Sequence, residues 1–352
     1  MSTQKKKIVF PVYGRALPFF NIGADVSRNN LAYLLAEKNY HVSCIASYGG
    51  SRTTYLKAMA FCIAFLNKWG VSWEIKEQFD LHYSYKGVHC VMTCLDRFYD
   101  LLEKNIQKDD VVFVVNKKSV EILKIAKIKQ AVVVAYITDA IKERRSLYAA
   151  KPDYIFYDSE VLASFGKQFH QQEYHILPAP FMPTEKILFP IEQKKCVTLI
   201  NPIPMKGLHT FLALSKRFPN YIFQAVEGWE AVVLEEEYLQ ANVRYFGRQY
   251  DMAPIYRATG ILLCPSHYSE GFGRTVIEAA LYGVPSIVST NGALPVVLGD
   301  GGLALDSFDI EKWTDALLEI EKKYDEYSAK AYQNAQHHLI DFEAKLREIG
   351  VL

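Results

Sequence analysis

Short runs of β-branched and other apolar residues alternate with helix-like patterns along almost the whole chain, and this alternation restricts the fold more than any other feature. The segments between the runs carry apolar residues at helical spacing, and 26–38 and 51–69 are the longest of them in the first half. Strands that alternate with helices favour a parallel sheet with both faces covered, so the first half is predicted to be one doubly wound α/β domain. Its predicted strands are residues 8–12, 42–46, 111–116, 132–137 and 154–158.

A second series of the same kind occupies the other half of the chain. Its predicted strands are 197–201, 222–226, 243–246, 261–264 and 286–289, with helices at 207–217 and 252–258. Four prolines, from Pro178 to Pro190, punctuate the stretch between the two series. Since 352 residues exceed what one hydrophobic core usually serves, we expect two Rossmann-like domains, 1–180 and 195–328, with a linker at about 181–194. Open parallel sheets bind ligands at the carboxyl ends of their strands, so the two domains are expected to face a cleft.

The composition is that of a soluble globular protein, with 50% hydrophobic and 22% charged residues. A net charge of +1 gives no reason to expect a nucleic acid as the partner. The run at 8–12 is too short for a signal peptide, and the longest apolar stretch, 58–66, is far below membrane-spanning length. We therefore expect a cytoplasmic protein. Peripheral membrane contact stays open, with the three lysines of residues 122–129 as a weak indication.

The six cysteines are scattered, which favours reduced, buried thiols over disulfides. Cys90 and Cys94 lie near His89, but no second pair of ligands has the spacing of a zinc site. No metal site and no required cofactor are therefore predicted.

The segment that carries chemistry begins where the predicted strand 261–264 ends. Gly271 and Gly273 allow backbone amides to approach a ligand closely at the start of a helix, where the dipole favours an anion, and Arg274 adds a positive charge. Glu278, one turn into that helix, could accept hydrogen bonds from ribose, and Glu270 from hydroxyls of a sugar beyond the phosphates. On spacing alone, a glycine-rich turn with surface carboxylates explains the segment equally well.

A family resemblance changes that balance. Glu270 and Glu278 reproduce the Glu-x7-Glu signature of retaining glycosyltransferases of the GT-B fold, and the whole run 265–285 resembles glycosyltransferase family four. The loop 291–295 is similar to the one that follows the next strand in that family, and 201–207 resembles the segment that opens its second domain. The resemblance implies an acceptor-side domain at 1–180 and a nucleotide-sugar donor domain at 195–328. It also implies a C-terminal crossover, 329–352, whose helix at about 329–346 returns to the first domain.

The resemblance also assigns site residues. Lys206 matches the lysine that binds the donor diphosphate in relatives, whereas Asn201 stands where many relatives have an arginine. Asp139 lies near the position of a family histidine, with a helix cap as the competing explanation. The residues predicted to take part in catalysis are Glu270, Lys206 and Asp139. Those predicted to bind the donor are Gly23, Asn201, Lys206, Arg248, Glu270, Gly271, Phe272, Gly273, Arg274, Thr275 and Glu278.

The implied activity is retaining, metal-independent transfer of a hexosyl unit from a UDP- or GDP-linked sugar to an acceptor hydroxyl. The acceptor is open between a glycan, a lipid-linked glycan, a small natural product and a protein. Two alternatives remain: an epimerase or phosphorylase on the same fold, and a non-catalytic sugar-nucleotide-binding protein. Asn201 and the missing histidine favour the non-catalytic alternative.

Overall fold

A computed structural model gives the fold as two compact units. Unit 1 comprises Met1–Pro180 and Asp341–Leu352, and unit 2 comprises Phe181–Ile340. The structure describes residues 6–14, 17–19, 23–48, 51–77, 79–115, 119–139, 145–186, 195–228, 240–306 and 308–352.

Unit 1 is built on a nine-stranded sheet within the described residues. The strand order is β3-β4-β5-β2-β1-β6-β7-β8-β9, and all neighbours from β5 to β9 are parallel. Its strands are β1 (Lys7–Tyr13), β2 (His41–Tyr48), β3 (Trp73–Lys76), β4 (Asp80–Tyr85), β5 (Val88–Cys94), β6 (Val111–Val114), β7 (Val132–Ile137), β8 (Tyr154–Tyr157) and β9 (His175–Ile176). Its helices before the second unit are α1 (Gly23–Glu37), α2 (Arg52–Lys68), α3 (Leu95–Asn105), α4 (Ser119–Ile128), α5 (Arg145–Ala149) and α6 (Glu160–Gly166).

The five strands predicted for this half are present, and each is almost completely buried, as β-branched runs in a covered sheet should be. The sequence did not predict the antiparallel edge, in which β3 pairs with β4 and β4 with β5. The β4–β5 turn has Lys86 at φ 47° and Gly87 at φ 76°, and a two-residue hairpin turn of type I′ requires positive angles at both positions.

Unit 2 is built on a six-stranded parallel sheet of order β12-β11-β10-β13-β14-β15 within the described residues. Its core packs side chains such as Phe211, Phe223 and Trp313 between the sheet and its helices. The strands are β10 (Cys196–Ile200), β11 (Ile222–Val226), β12 (Val243–Phe246), β13 (Ile261–Cys264), β14 (Ser286–Ser289) and β15 (Gly302–Leu305). The helices are α7 (Leu208–Arg217), α8 (Ala253–Ala258), α9 (Arg274–Ala280), α10 (Leu294–Leu298), α11 (Ile310–Lys322) and α12 (Tyr324–Gln336).

The C-terminal crossover is shorter than predicted. The expected single helix at 329–346 is two helices, α12 in unit 2 and α13 (Phe342–Glu348) in unit 1. Residues 329–340 stay with unit 2 because Asn334 of α12 donates to the carbonyls of Val297 and Leu298, at 2.7 and 3.1 Å. Asp341 then caps a new helix by accepting from the Ala344 amide at 3.1 Å.

The return to unit 1 is held by contacts along α13 and the residues after it. Asp341 pairs with Lys38 at 2.9 Å, and Glu343 accepts from the Tyr40 hydroxyl at 3.0 Å. The carbonyl of Gly350 accepts from Tyr154 at 3.1 Å, and that of Val351 from Lys6 at 3.2 Å.

Part of the linker predicted at about 181–194 lies in unit 2. Residues 181–186 belong to unit 2, where the Thr184 hydroxyl donates to the Leu281 carbonyl at 3.0 Å. Residues 187–194 lie outside the described residues. Among the helices that the structure describes, none combines the length and apolar character needed to cross a membrane.

Candidate active site

Two loops meet at the carboxyl edge of the unit 2 sheet. The strands β10 and β13 are parallel neighbours, with Val197 opposite Ile261, so the loops that follow them leave the same edge of the sheet side by side. A backbone hydrogen bond of 2.9 Å, from the amide of His267 to the carbonyl of Met205, joins the two loops directly. The strand order therefore brings together segments that are some sixty residues apart in sequence.

An ion pair connects the same two loops at two of the predicted site residues. A short 3₁₀ turn, Pro204–Lys206, presents Lys206, and its ammonium donates to Oε1 of Glu270. Both side chains are largely buried, at 13% and 12% exposure, and the ammonium lies 5.3 Å from the ring centre of Tyr268. Because a buried charge without its partner is strongly unfavourable, each of these two residues stabilises the position of the other.

The backbone of Glu270 is fixed by the loop after β14. Its carbonyl accepts from the Ala293 amide at 2.9 Å, and Glu270 forms an isolated parallel bridge with Gly292. Gly292 has φ 71°, and a Cβ there would lie 2.3 Å from the Glu270 carbonyl oxygen. Only glycine fits so close an approach. Gly292 therefore allows the 291–295 loop to hold the backbone of Glu270 in place.

Glu278 is held by a different set of contacts. Helix α9 begins at Arg274 after Gly273, which has φ 94°. The Arg274 guanidinium pairs with Oε1 of Glu278 at 3.1 Å, one turn along the helix, and the Tyr256 hydroxyl donates to Oε2 at 2.7 Å. Burial raises the pKa of Tyr256 well above its usual range, and the Glu278 carboxylate raises it further, so the phenol stays a donor.

Arg274 is predicted to supply positive charge for the donor phosphates, and that role stays a prediction. In the structure its side chain is only 8% exposed and its charge is paired with Glu278. Its guanidinium also stacks over the ring of Phe181, with 4.5 Å to the ring centre. In this arrangement Arg274 holds Glu278 in position, because the carboxylate contacts one edge of its guanidinium and the Phe181 ring contacts one face.

Asn201 is buried at the end of β10. It is 3% exposed and adopts φ 62°, and its backbone N–H donates to the carbonyl of Val226 at 2.7 Å. Among the described residues, neither the nitrogen nor the oxygen of its carboxamide has a hydrogen-bond partner. Gly228 lies against it so closely that a Cβ there would be 2.5 Å from the Asn201 side chain. A buried carboxamide with both polar atoms unsatisfied marks a strained or ligand-directed position.

Three more of the predicted residues belong to unit 2. Arg248, after β12, is exposed and lies 3.5 Å from the carboxylate of Glu227. Phe272 is buried against Phe181, with ring centres 5.9 Å apart, so its side chain is a packing residue. Thr275 is partly buried near the Cys264 thiol, whose pKa burial raises to about 12.

Two predicted residues lie in unit 1. Gly23 is the exposed first residue of α1, and Asp139 follows β7 and is partly buried. The residues before Gly23 and after Asp139 lie outside the described residues, so the glycine loop and the cap expected there are not described. The roles of Gly23 and Asp139 stay predictions.

Sequence reasoning missed Tyr256, which holds Glu278 from α8 without belonging to any motif. It also missed the polar contacts that fix the 265–273 loop. Ser289 and Asn291 both donate to the carbonyl of Ser266, each at 2.7 Å. Asn291 belongs to the 291–295 loop that resembles the family, but only the structure shows that it bonds to Ser266.

Comparison with known proteins gives a family match within unit 2. Residues 189–338 match the model of a family described as glycosyl transferases group 1. The match covers less than half of the chain and lies within unit 2, where it includes Lys206, Glu270 and Glu278.

Curated relatives align over shorter segments. The O-antigen chain mannosyltransferase B of Escherichia coli is 35% identical over 109 residues, which are 29% of this chain and 28% of the relative. The D-inositol 3-phosphate glycosyltransferase of Corynebacterium jeikeium is 38% identical over 69 residues, which are 19% of this chain and 16% of the relative. The chain thus aligns with less than a third of the length of either relative.

Solved structures align over nearly the whole chain. HepE of Anabaena, in complex with UDP and glucose, superimposes with a TM-score of 0.70 at 13% identity, covering 99% of this chain and 100% of HepE. The pneumococcal O-GlcNAc transferase GtfA, in complex with UDP and GlcNAc, gives 0.70 at 12% identity over 98% and 99% of the two chains. At such low identity the likeness shows the fold alone. The fold is GT-B, with two Rossmann-like domains, as the sequence predicted.

Proposed function

We propose that this protein is a glycosyltransferase that moves a hexosyl unit from a nucleotide diphosphate sugar to an acceptor hydroxyl. The observation that carries the proposal is the buried Lys206–Glu270 pair at the carboxyl edge of the unit 2 sheet. It lies inside the region that matches the glycosyl transferases group 1 model. The proposed donor is UDP- or GDP-linked, since HepE and GtfA were solved with UDP and the Escherichia coli relative is a mannosyltransferase.

The charges of the pair suit the charges that develop during transfer. As the bond between the sugar and the diphosphate breaks, positive charge grows on the anomeric carbon and negative charge on the leaving phosphate. The Lys206 ammonium would stabilise the leaving group, and Glu270 would orient the sugar through its hydroxyls. Both groups already point at each other across the two loops, so the donor diphosphate would compete with Glu270 for the ammonium.

Glu278 is proposed to bind the ribose. Arg274 and Tyr256 each engage one of its carboxylate oxygens, and a carboxylate oxygen accepts more than one hydrogen bond. The two contacts therefore hold the carboxylate in place and leave it able to accept from ribose hydroxyls. The amides of 271–274 at the start of α9 are proposed to meet the phosphates.

Retention of configuration and independence of metal ions are part of the proposal. Cationic side chains supply the neutralisation that a divalent ion would otherwise supply, so we expect the same initial rate with and without EDTA. A rate that disappears with EDTA and returns with Mg²⁺ or Mn²⁺ would refute the second point. The anomeric configuration of the product, read by NMR at early times, decides the first.

The main test is a donor panel. The full chain is incubated with UDP- and GDP-linked hexoses, and release of the nucleoside diphosphate and the thermal melting temperature are both measured. The productive donor should raise the melting temperature of the unmodified protein, and Glu278→Ala and Lys206→Ala should abolish that shift. If no nucleotide sugar and no nucleoside diphosphate shifts the melting temperature, the donor site is wrong.

Asn201 favours one alternative, a non-catalytic protein that binds sugar nucleotides, because a buried carboxamide replaces a family arginine. That alternative predicts donor binding with release of diphosphate at the background rate for every acceptor. An epimerase or phosphorylase would instead turn the donor over without an acceptor hydroxyl.

The acceptor is proposed to be a glycan, a lipid-linked glycan, a small natural product or a protein, and the protein is proposed to act in the cytoplasm. All six cysteines are free thiols, which fits a reducing compartment.

A further inference from the structure

Helix α2 of unit 1 exposes an apolar side. Tyr55, Cys62 and Leu66 are its buried residues, and they lie on one face of the helix. On the rest of the surface, Leu56 is 39% exposed and Phe61 is 46% exposed. An ordinary surface helix of a globular protein carries polar residues opposite its buried face. Here residues 58–66 contain no polar side chain except the Cys62 thiol, so the apolar character continues around the helix.

The neighbouring edge strand extends this surface. The Trp73 indole of β3 donates to Oδ1 of Asn67 at 2.8 Å, so the strand lies beside the second half of α2. Trp73 is 36% exposed, and Ile75, two residues further along the strand, is 44% exposed. We name these exposed residues the α2–β3 surface: Leu56, Ala60, Phe61, Ala64, Trp73 and Ile75.

The charged side chains of α2 are all positive. Lys57 and Lys68 flank Phe61 and Ala64 at positions i, i+4, i+7 and i+11, so these four residues form one stripe along the exposed side. Arg52 adds a third cation to α2, and the helix has no acidic residue.

The carboxylates of β3 and of the residue after it are paired with other cations. Glu74 of β3 pairs with Lys76 at 2.7 Å, and Glu77 pairs with Arg97. Within the described part of the chain, the three cations of α2 form no ion pair with a carboxylate.

We propose that the α2–β3 surface binds the interface of a membrane that contains anionic lipids, with α2 lying parallel to the bilayer plane. A helix of seventeen residues is about 25 Å long, and its apolar side chains would enter the boundary between headgroups and acyl chains. Lys57 and Lys68 bracket this apolar stripe, and their stems are long enough to place the ammonium groups at lipid phosphates.

The charge pattern favours a lipid surface over a second copy of the chain. If two copies packed through α2, the stripes with Lys57 and Lys68 would face each other with no carboxylate on either helix to pair with them. Like charges placed together in a desolvated interface weaken association. An anionic bilayer supplies both an apolar layer and the opposite charge.

The test uses the full chain and flotation with vesicles of phosphatidylcholine alone or of equal parts phosphatidylcholine and phosphatidylglycerol. We expect binding to the anionic vesicles and at least tenfold weaker binding to the neutral ones. Phe61→Glu should weaken binding to anionic vesicles at least tenfold. Leu318→Glu is the matched control, because Leu318 is 47% exposed and lies on α11 of unit 2, and it should bind like the unmodified protein.

Two further variants test the contribution of charge and the choice of α2 over α4 as the membrane surface. The double variant Lys57→Gln, Lys68→Gln should bind anionic vesicles roughly tenfold more weakly, with an unchanged melting temperature. Ile128→Glu, on α4 among the lysines of 122–129, should have no effect. If Ile128→Glu abolishes binding and Phe61→Glu does not, the membrane surface is α4 and the proposal is wrong.

Two further results would also overturn it. One is failure of the unmodified protein to float with anionic vesicles at low salt. The other is a dimer in sedimentation equilibrium that Phe61→Glu converts to monomer, since a second copy would then cover the surface. If Phe61→Glu lowers the melting temperature, Leu56→Glu replaces it in the same comparison.

Discussion

The two carboxylates of the 270–278 segment belong to one short stretch of chain but are held in opposite ways. Glu270 lies in a loop, and its partner Lys206 comes from another loop 64 residues earlier in the sequence. Glu278 lies on helix α9, and its first partner, Arg274, is one turn before it on the same helix. The position of Glu270 therefore depends on the order of strands in the sheet, whereas that of Glu278 depends mainly on a local helix. The first arrangement suits a residue at the reacting bond, and the second suits a residue that holds a fixed part of the ligand.

Replacement of Lys206 should give the largest effect. Lys206→Met removes the charge proposed to stabilise the leaving diphosphate, so we expect kcat to fall by about 10³, as for loss of one preorganised oxyanion donor. It also leaves Glu270 buried without a partner, which should lower the free energy of unfolding by about 3 kcal/mol.

The double variant Lys206→Met, Glu270→Gln separates the two consequences of that replacement. It should recover most of the stability and none of the activity. If Lys206→Met alone retains more than a third of the kcat of the unmodified protein, the proposed role of the lysine is contradicted.

Substitution of Gly292 tests how the loop positions Glu270. In Gly292→Ala the new Cβ would lie 2.3 Å from the Glu270 carbonyl oxygen, so the bridge must open and Glu270 must move. We expect kcat to fall by about 10², the effect of a displacement of roughly 1 Å.

Gly70→Ala is the control for the backbone conformation. Gly70 has φ 66°, close to that of Gly292, and nothing lies within 4 Å of its Cβ position. It therefore measures strain without displacement, and equal kcat losses in both variants would show that the close approach has no consequence for activity.

The two carboxylates should differ in which kinetic constant they affect. Glu278→Gln weakens binding of a part of the donor that does not react, so we expect KM for the donor to rise about tenfold with kcat within a factor of three. Glu270→Gln should instead lower kcat by more than tenfold with a smaller change in KM. The same pattern in both variants would remove the distinction between the two residues.

The smallest effect is expected for Tyr256→Phe. The variant removes one hydrogen bond to a carboxylate, typically about 1.5 kcal/mol or more, and retains Arg274 as the other support. KM for the donor should rise three- to fivefold in initial-rate measurements, and kcat should not change. Tyr282→Phe, whose ring stacks on Tyr256 at 5.8 Å, is the control, and it should leave both constants unchanged.

The sequence predicted ten of the strands, most of which are apolar runs buried on both faces, but it did not predict β5, β9 or β15. Nor did it predict β3 and β4, because alternating polar residues such as Glu74, His82 and Ser84 hide these strands at the sheet edge. Lys206 and Glu270 were named from two separate motifs, and their contact depends on β10 and β13 being neighbours, which local spacing does not encode. Sequence spacing indicated the charge of Arg274 but not the ring of Phe181 over which its guanidinium stacks. Tyr256 had no local signal at all.

The return of the chain to unit 1 has a consequence for the order in which the protein is completed during synthesis. Unit 2 is continuous in sequence, so every residue of Phe181–Ile340 has been made before the last segment begins. Unit 1 is encoded first but lacks α13 until the ribosome reaches the end of Asp341–Leu352. Because domains generally fold as units during synthesis, the second unit can finish folding while the first still waits for its closing helix. Of the two units, the one whose translation begins first is thus the one that is completed last.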